Sequence, residues 1–145
     1  MKNILIIFLF LISAVSCSTT FLFKEKVTID ELLKSKEQID TTVNPAKSFL
    51  LRNSLSEKIL IMQDIKVKDI VPSTNVDYNF CVISDVQTDR GIIELYIYTK
   101  NVRRISMLKK GESIINVKGE FSRFFSMLDS YYTKIEIINS IIEIK

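Results

Sequence analysis

The stretch LKKGESIINVKGEF, Leu108 to Phe121, and the run YTKIEIINSIIEI, Tyr132 to Ile144, decide the fold. Side chains alternate along an extended chain, so Ile115, Val117 and Phe121 share one face of a strand. Gly119 within that strand signals a bulge or a barrel corner. The second run is another strand, bent near Asn139, where the alternation loses its phase.

Three further strands are expected upstream. In KILIMQDIKVKDI, Ile59, Ile61, Ile65 and Val67 are set against Leu60, Met62, Lys66 and Lys68, which predicts a long strand with one apolar face. VPSTNVD breaks it, because Pro72 and small polar residues favour a loop. YNFCVISDV sets Tyr78, Phe80 and Val82 against Asn79, Cys81 and Ile83. QTDRGI, with Asp89 and Gly91, reads as a hairpin turn. IIELYIYTK then sets Ile93, Leu95 and Ile97 against Glu94, Tyr96, Tyr98 and Lys100. NVRRISMLKKG interrupts the strands as a short helical piece ended by Gly111.

Five strands with a helical piece between the third and fourth follow the order of an OB-like Greek-key barrel; the rival is another small antiparallel barrel or sandwich. LKKGESIINVKGEF and IEIINSIIEI together resemble the tail of the tRNA-anticodon-like OB family found in some bacterial envelope proteins. Leu108, Lys110, Gly111, Val117, Gly119 and Asn139 carry that resemblance, which covers about Lys58 to Ile144. Ser140 departs from it, standing where such families often have cysteine.

Two short helices are expected before the barrel. Thr28 with Glu31 is a capping-box pattern, and Ile29, Leu32, Leu33 and Ile39 fall on one helical face. In NPAKSFLLRN, Asn44 caps and Pro45 suits the first helical position, with Ala46, Phe49 and Leu50 expected inward.

The N-terminus has a different composition. Lys2 precedes the unbroken apolar run Ile4–Ile12, which is too short to cross a bilayer as a helix of about 20 residues. AVSC, ending at Cys17, resembles a relaxed lipobox, at which signal peptidase II cleaves before a lipidated cysteine. The resemblance implies a diacylglycerol thioether on Cys17, an acylated new amino terminus and a durable bilayer anchor. An ordinary cleaved signal peptide and an uncleaved anchor are the alternatives. Ser18 in place of aspartate favours the outer membrane, with surface and periplasmic faces both open. The expected layout is 1–16 signal peptide, 17–27 lipidated tether, 28–57 helical segment and 58–145 barrel.

Composition narrows the function. The 145 residues are 47% hydrophobic, enough for a packed core, and the net charge of +3 is too small to predict nucleic-acid binding from bulk charge. Histidine is absent, which removes the commonest general base and metal ligand. With no phosphate loop, catalytic motif or cysteine pair at metal spacing, a non-enzymatic binding module without cofactor or metal is expected. Cys81 reads as a packed thiol once Cys17 is acylated.

Two stretches suggest binding. Tyr96, Tyr98 and Lys100 lie on the non-core face of the third strand and continue into Arg103 and Arg104, a combination suited to stacking on bases or sugars. FSRFFSMLDSYY, with Phe121, Phe124, Phe125 and Tyr131, is too apolar for an ordinary loop, so it plugs the barrel, meets a protein partner or inserts into a membrane. An envelope protein is the leading partner class. Single-stranded nucleic acid or an oligosaccharide is the alternative, and a purely structural envelope component a third.

Overall fold

The computed structural model describes residues 24–56, 58–125 and 133–145. The N-terminal export and lipidation reading, including Cys17, lies outside these residues, as does Tyr131. The fold is mainly β. Strand β1 is Lys26–Val27, followed by helices α1, Ile29–Thr41, and α2, Pro45–Leu55. Strands β2, Ile59–Pro72, β3, Phe80–Thr88, and β4, Gly91–Tyr98, come next. A single turn, α3 (Val102–Ile105), leads to β5, Ile114–Phe125, and β6, Thr133–Ile144.

The sheet order is β1-β2-β3-β4-β6-β5, and β2 also pairs with β5, so β2 to β6 close into a five-stranded barrel with β1 as an extra strand. All barrel pairings are antiparallel except β4–β6, which is parallel. Closure leaves no barrel strand with an open edge.

One strand can serve two neighbours because β2 changes phase along its length. Its first half pairs with β5 and its second with β3, and the β2–β5 register shifts between Met62 and Ile65. Asp64 takes φ 57° there, with its N–H bonded to Asn116 Oδ1 at 3.0 Å. Leu60 and Met62 therefore pack on the core before the bulge, and Ile65 and Val67 after it. This corrects the expected single face of Ile59, Ile61, Ile65 and Val67: Ile61 is exposed, because the inserted residue reverses the alternation.

The second corner is made by Gly119. A Cβ there would lie 2.4 Å from Ser140 Oγ and 2.5 Å from Ile137 Cγ2, so only glycine lets β5 and β6 approach this closely. β6 bends where expected, at Asn139, with φ 50°. β5 runs through Phe121, as its alternation predicts, and continues to Phe125, so Phe124 and Phe125 are strand residues and not the loop expected from sequence. Phe121 is buried in the core and Phe124 packs against it, both from within the strand.

The helices divide the remaining work. Thr28 and Glu31 form the reciprocal capping box, and Ile29, Leu32, Leu33 and Ile39 of α1 are buried in the barrel core cluster. α2 is capped by Asn44, whose Oδ1 accepts from the N–H groups of Ala46 and Lys47. It buries Leu55 and half-buries Leu51, while Phe49 and Leu50 are 60% and 66% exposed. The expected inward face of Ala46, Phe49 and Leu50 is thus the outward one. α2 has two apolar faces, and Leu51 with Leu55, one turn apart, took the inner position. Among the described residues no helix is long and apolar enough to cross a membrane.

Candidate functional site

The outer face of β3, β4 and β6 carries two groups of polar contacts. Register places Glu94 beside Lys134, and Tyr96 beside Glu136, across the parallel β4–β6 pair. Lys134 Nζ lies 2.5 Å from Glu94 Oε2 and donates to Tyr96 Oη at 3.1 Å. Lys68 of β2 bridges Glu94 at 2.8 Å and Asp85 at 2.9 Å. Arg123 meets Glu136 through Nε at 3.1 Å and Nη2 at 3.0 Å, and Ser122 Oγ donates to the other carboxylate oxygen at 2.9 Å.

Lys68, Glu94 and Lys134 hold one another ionised. Hydrogen bonding to Glu94 and Asp85 raises Lys68 above the ordinary lysine range. Burial pushes Glu94 upward, but Lys134 and Lys68 outweigh it, and the carboxyl ends below its usual value. Burial disfavours the Lys134 charge, and its bonds to Glu94 and Tyr96 reverse the effect. Such groups are poor proton acceptors and donors near neutral pH. What they offer is a fixed pattern of charge around the half-buried ring of Tyr96. Phe125 meets that ring edge-on at 4.9 Å, with Arg123 over Phe125 at 5.7 Å.

Tyr98 has a different setting. It is 3% exposed, beneath Tyr78, with ring centroids 5.4 Å apart. Tyr78 Oη donates to Asn139 Oδ1 at 2.9 Å and accepts from the Asn139 N–H at 3.1 Å. Asn139 Nδ2 continues to Glu120 at 3.1 Å. Cys81 completes this cluster; burial pushes its thiol up to about 12 and the Tyr98 hydroxyl to about 12, the latter helped by the neighbouring thiol. A thiol held protonated in this way is a packing group and a weak nucleophile.

The structure therefore joins Tyr96 with Phe125 and also packs Tyr96 against the cluster of Tyr78, Cys81 and Tyr98, in which the Tyr98 ring is buried. Lys100 and Arg103 are exposed and Arg104 is half-buried. Phe124 faces the core with Phe121, at 4.8 Å between ring centroids.

Beside Ile92, at the start of β4, a cleft of about 480 Å³ opens between α1 and the β3–β4 hairpin. Leu33 and Ile93 form its floor, and Arg90 crosses to Glu37 at 2.9 Å. Its size is within the range of small-ligand clefts, but its charged rim is solvent-exposed. Among the described residues no group of His, Cys, Asp and Glu is placed to hold a metal ion.

Searches against protein-family models and against curated proteins found no match to this chain. The contacts of Lys68, Asp85, Glu94, Lys134 and Glu136 were not read from the sequence. Their only local signal is charge at alternate positions of strands otherwise apolar. The pairing that assembles them depends on β6 lying parallel to β4, which no local pattern encodes.

Proposed function

We propose that this chain is a lipid-anchored bacterial envelope protein, acylated at Cys17, whose OB-like barrel binds a macromolecular partner without catalysing a reaction. The observation that carries the barrel half of this reading is the closed order β2-β3-β4-β6-β5, with its single parallel pairing between β4 and β6. That order supports an OB-like Greek key and the resemblance to the tRNA-anticodon-like OB family. The anchor half rests on the AVSC motif after an uncharged apolar run.

A protein partner suits the outer β4 face better than a polyanion does. Three cations, Lys68, Arg123 and Lys134, are there matched by three carboxylates, Asp85, Glu94 and Glu136. A balanced face reads shape and hydrogen bonding and releases few counterions. Tethering raises the local concentration of neighbours, so a modest interface suffices.

The second reading, a single-stranded nucleic-acid or oligosaccharide binder, draws on Lys100, Arg103 and Arg104 at the end of β4 and on the ring of Tyr96. A photo-crosslinker at Ile92, exposed on the β4 outer face, separates the two in intact cells. Capture of one defined envelope protein supports the leading reading. Capture of nucleic acid, with binding that falls steeply with salt and on Arg103→Gln/Arg104→Gln, replaces it with the second. Labelled fatty acid on the wild type but not on Cys17→Ala tests the anchor.

A further inference from the structure

Among the described residues, the outward face of α2 has no partner. On a helix of 3.6 residues per turn, Ala46, Phe49, Leu50 and Asn53 share one face, and Lys47 and Arg52 fall on its two borders. All six are exposed. Val43, just before the helix, is also exposed. No aspartate or glutamate occurs between Thr41 and Ser56, and neither Lys47 nor Arg52 makes an ion pair among the described residues. The two cations flank one exposed aromatic ring, Phe49, and the exposed Leu50, with no carboxylate on the helix to neutralise them.

Position adds a second argument. The C-terminal end of α2 lies beside the point where the N-terminal segment leaves the domain. The Ile59 N–H bonds to the Glu25 carbonyl at 2.8 Å, Lys58 pairs with Glu25 at 3.0 Å, and Lys26 and Val27 run alongside Ile59 and Leu60. From Cys17 to Lys24 the chain can reach at most about 25 Å, at ~3.3–3.6 Å per residue. An anchor at Cys17 therefore keeps this side of the molecule near the bilayer.

We propose that α2 is an interfacial helix, which lays Phe49 and Leu50 into the headgroup–acyl boundary of an anionic bilayer with Lys47 and Arg52 against lipid phosphates. This deepens the anchored reading above and rests on it for the proximity of a membrane. The apolar face supplies insertion and the bordering cations supply preference for anionic lipid. Membrane contact at a second point orients the barrel relative to the surface, which a single point of attachment does not.

The chain has no tryptophan, so Phe49→Trp is a single reporter at a site where a ring is already exposed. Leu50→Trp is a second reporter, and Val76→Trp, 98% exposed in the loop between β2 and β3, is the control. The full chain is reconstituted with vesicles of phosphatidylcholine, with and without phosphatidylglycerol. The expected result is blue-shifted emission from both α2 reporters, quenched by brominated lipid, on the anionic vesicles only, with Val76→Trp unchanged. Adding Lys47→Gln or Arg52→Gln reduces the docked population about fivefold each, at ~1 kcal/mol per cation.

Reporters that stay water-exposed on vesicle-bound protein overturn the proposal, as does failure of the full chain to associate with anionic vesicles. A blue shift that grows with protein concentration without lipid also overturns it, because a second copy then covers the face. Absence of a lipid adduct on Cys17 in the mass of the cell-derived protein defeats the anchor reading separately, whatever the reporters show.

Discussion

Helices α1 and α2 are neighbours of similar length, each with a side-chain N-cap, yet they meet opposite fates. α1 presents Ile29, Leu32, Leu33 and Ile39 to the barrel core and turns its charges to water. α2 gives the fold little more than Leu51 and Leu55 and turns Phe49 and Leu50 out. One helix is part of the hydrophobic core; the other is held at its end and spends its larger apolar face elsewhere. Exposed aromatic and aliphatic side chains on a single helix, bordered by cations without an ion pair among the described residues, are the surface that the proposed membrane contact would cover.

The largest test of this contrast is stability. Leu32→Ala removes a fully buried side chain and is expected to cost about 2–5 kcal/mol in urea unfolding. Phe49→Ser with Leu50→Ser removes more apolar surface and is expected to change stability by no more than about 0.5 kcal/mol per site. Equal losses at the two helices would erase the distinction.

Within the barrel, Gly119→Ala should be next in size. Its new methyl group meets Ser140 and Ile137, and overpacking of this kind costs about 1–3 kcal/mol. A neutral result would mean that the β5–β6 corner is looser than the core that α1 seals.

The caps sharpen the comparison further. Thr28→Ala and Asn44→Ala each remove bonds to helix N–H groups, worth about 0.5–2 kcal/mol to the helix concerned. The loss at Thr28 should appear in the global unfolding midpoint, because α1 is part of the core. The loss at Asn44 should appear mainly as faster amide exchange within α2.

The smallest effect concerns pH and the barrel's outer face. The Glu94 carboxyl sits below its ordinary value of 4.5 in the folded chain, because Lys134 and Lys68 overcome the burial that opposes its charge. Its contribution to stability is therefore full above about pH 4.5 and disappears as pH falls through the lower folded value. Glu94→Gln should flatten this part of the acid-stability curve while leaving the α1–α2 contrast unchanged.

Much of the barrel was legible in the sequence, for a local reason. Alternation in IIELYIY and IEIINSIIEI, the Asp89–Gly91 turn, Gly119 and the bend at Asn139 are all written within a few residues. The phase of β2 was not legible, because Asp64 adds one residue without any glycine or proline to announce it. The inward face of α2 was not legible either: apolar residues at Phe49, Leu50, Leu51 and Leu55 satisfy helical spacing in more than one direction. Of the candidate site, Tyr96 and Phe125 were named but not their pairing, and Tyr98 was named without the Tyr78 that covers it. Contacts between distant strands decide those points, and local periodicity carries no information about them.

Hydrogen exchange on the full chain, with and without anionic vesicles, tests the central contrast most directly. Amides of Ile29–Thr41 should be protected in both conditions, and those of Pro45–Leu55 should gain protection only when the vesicles are present. Equal protection of both helices in solution, or no gain in α2 on the vesicles, would contradict the account.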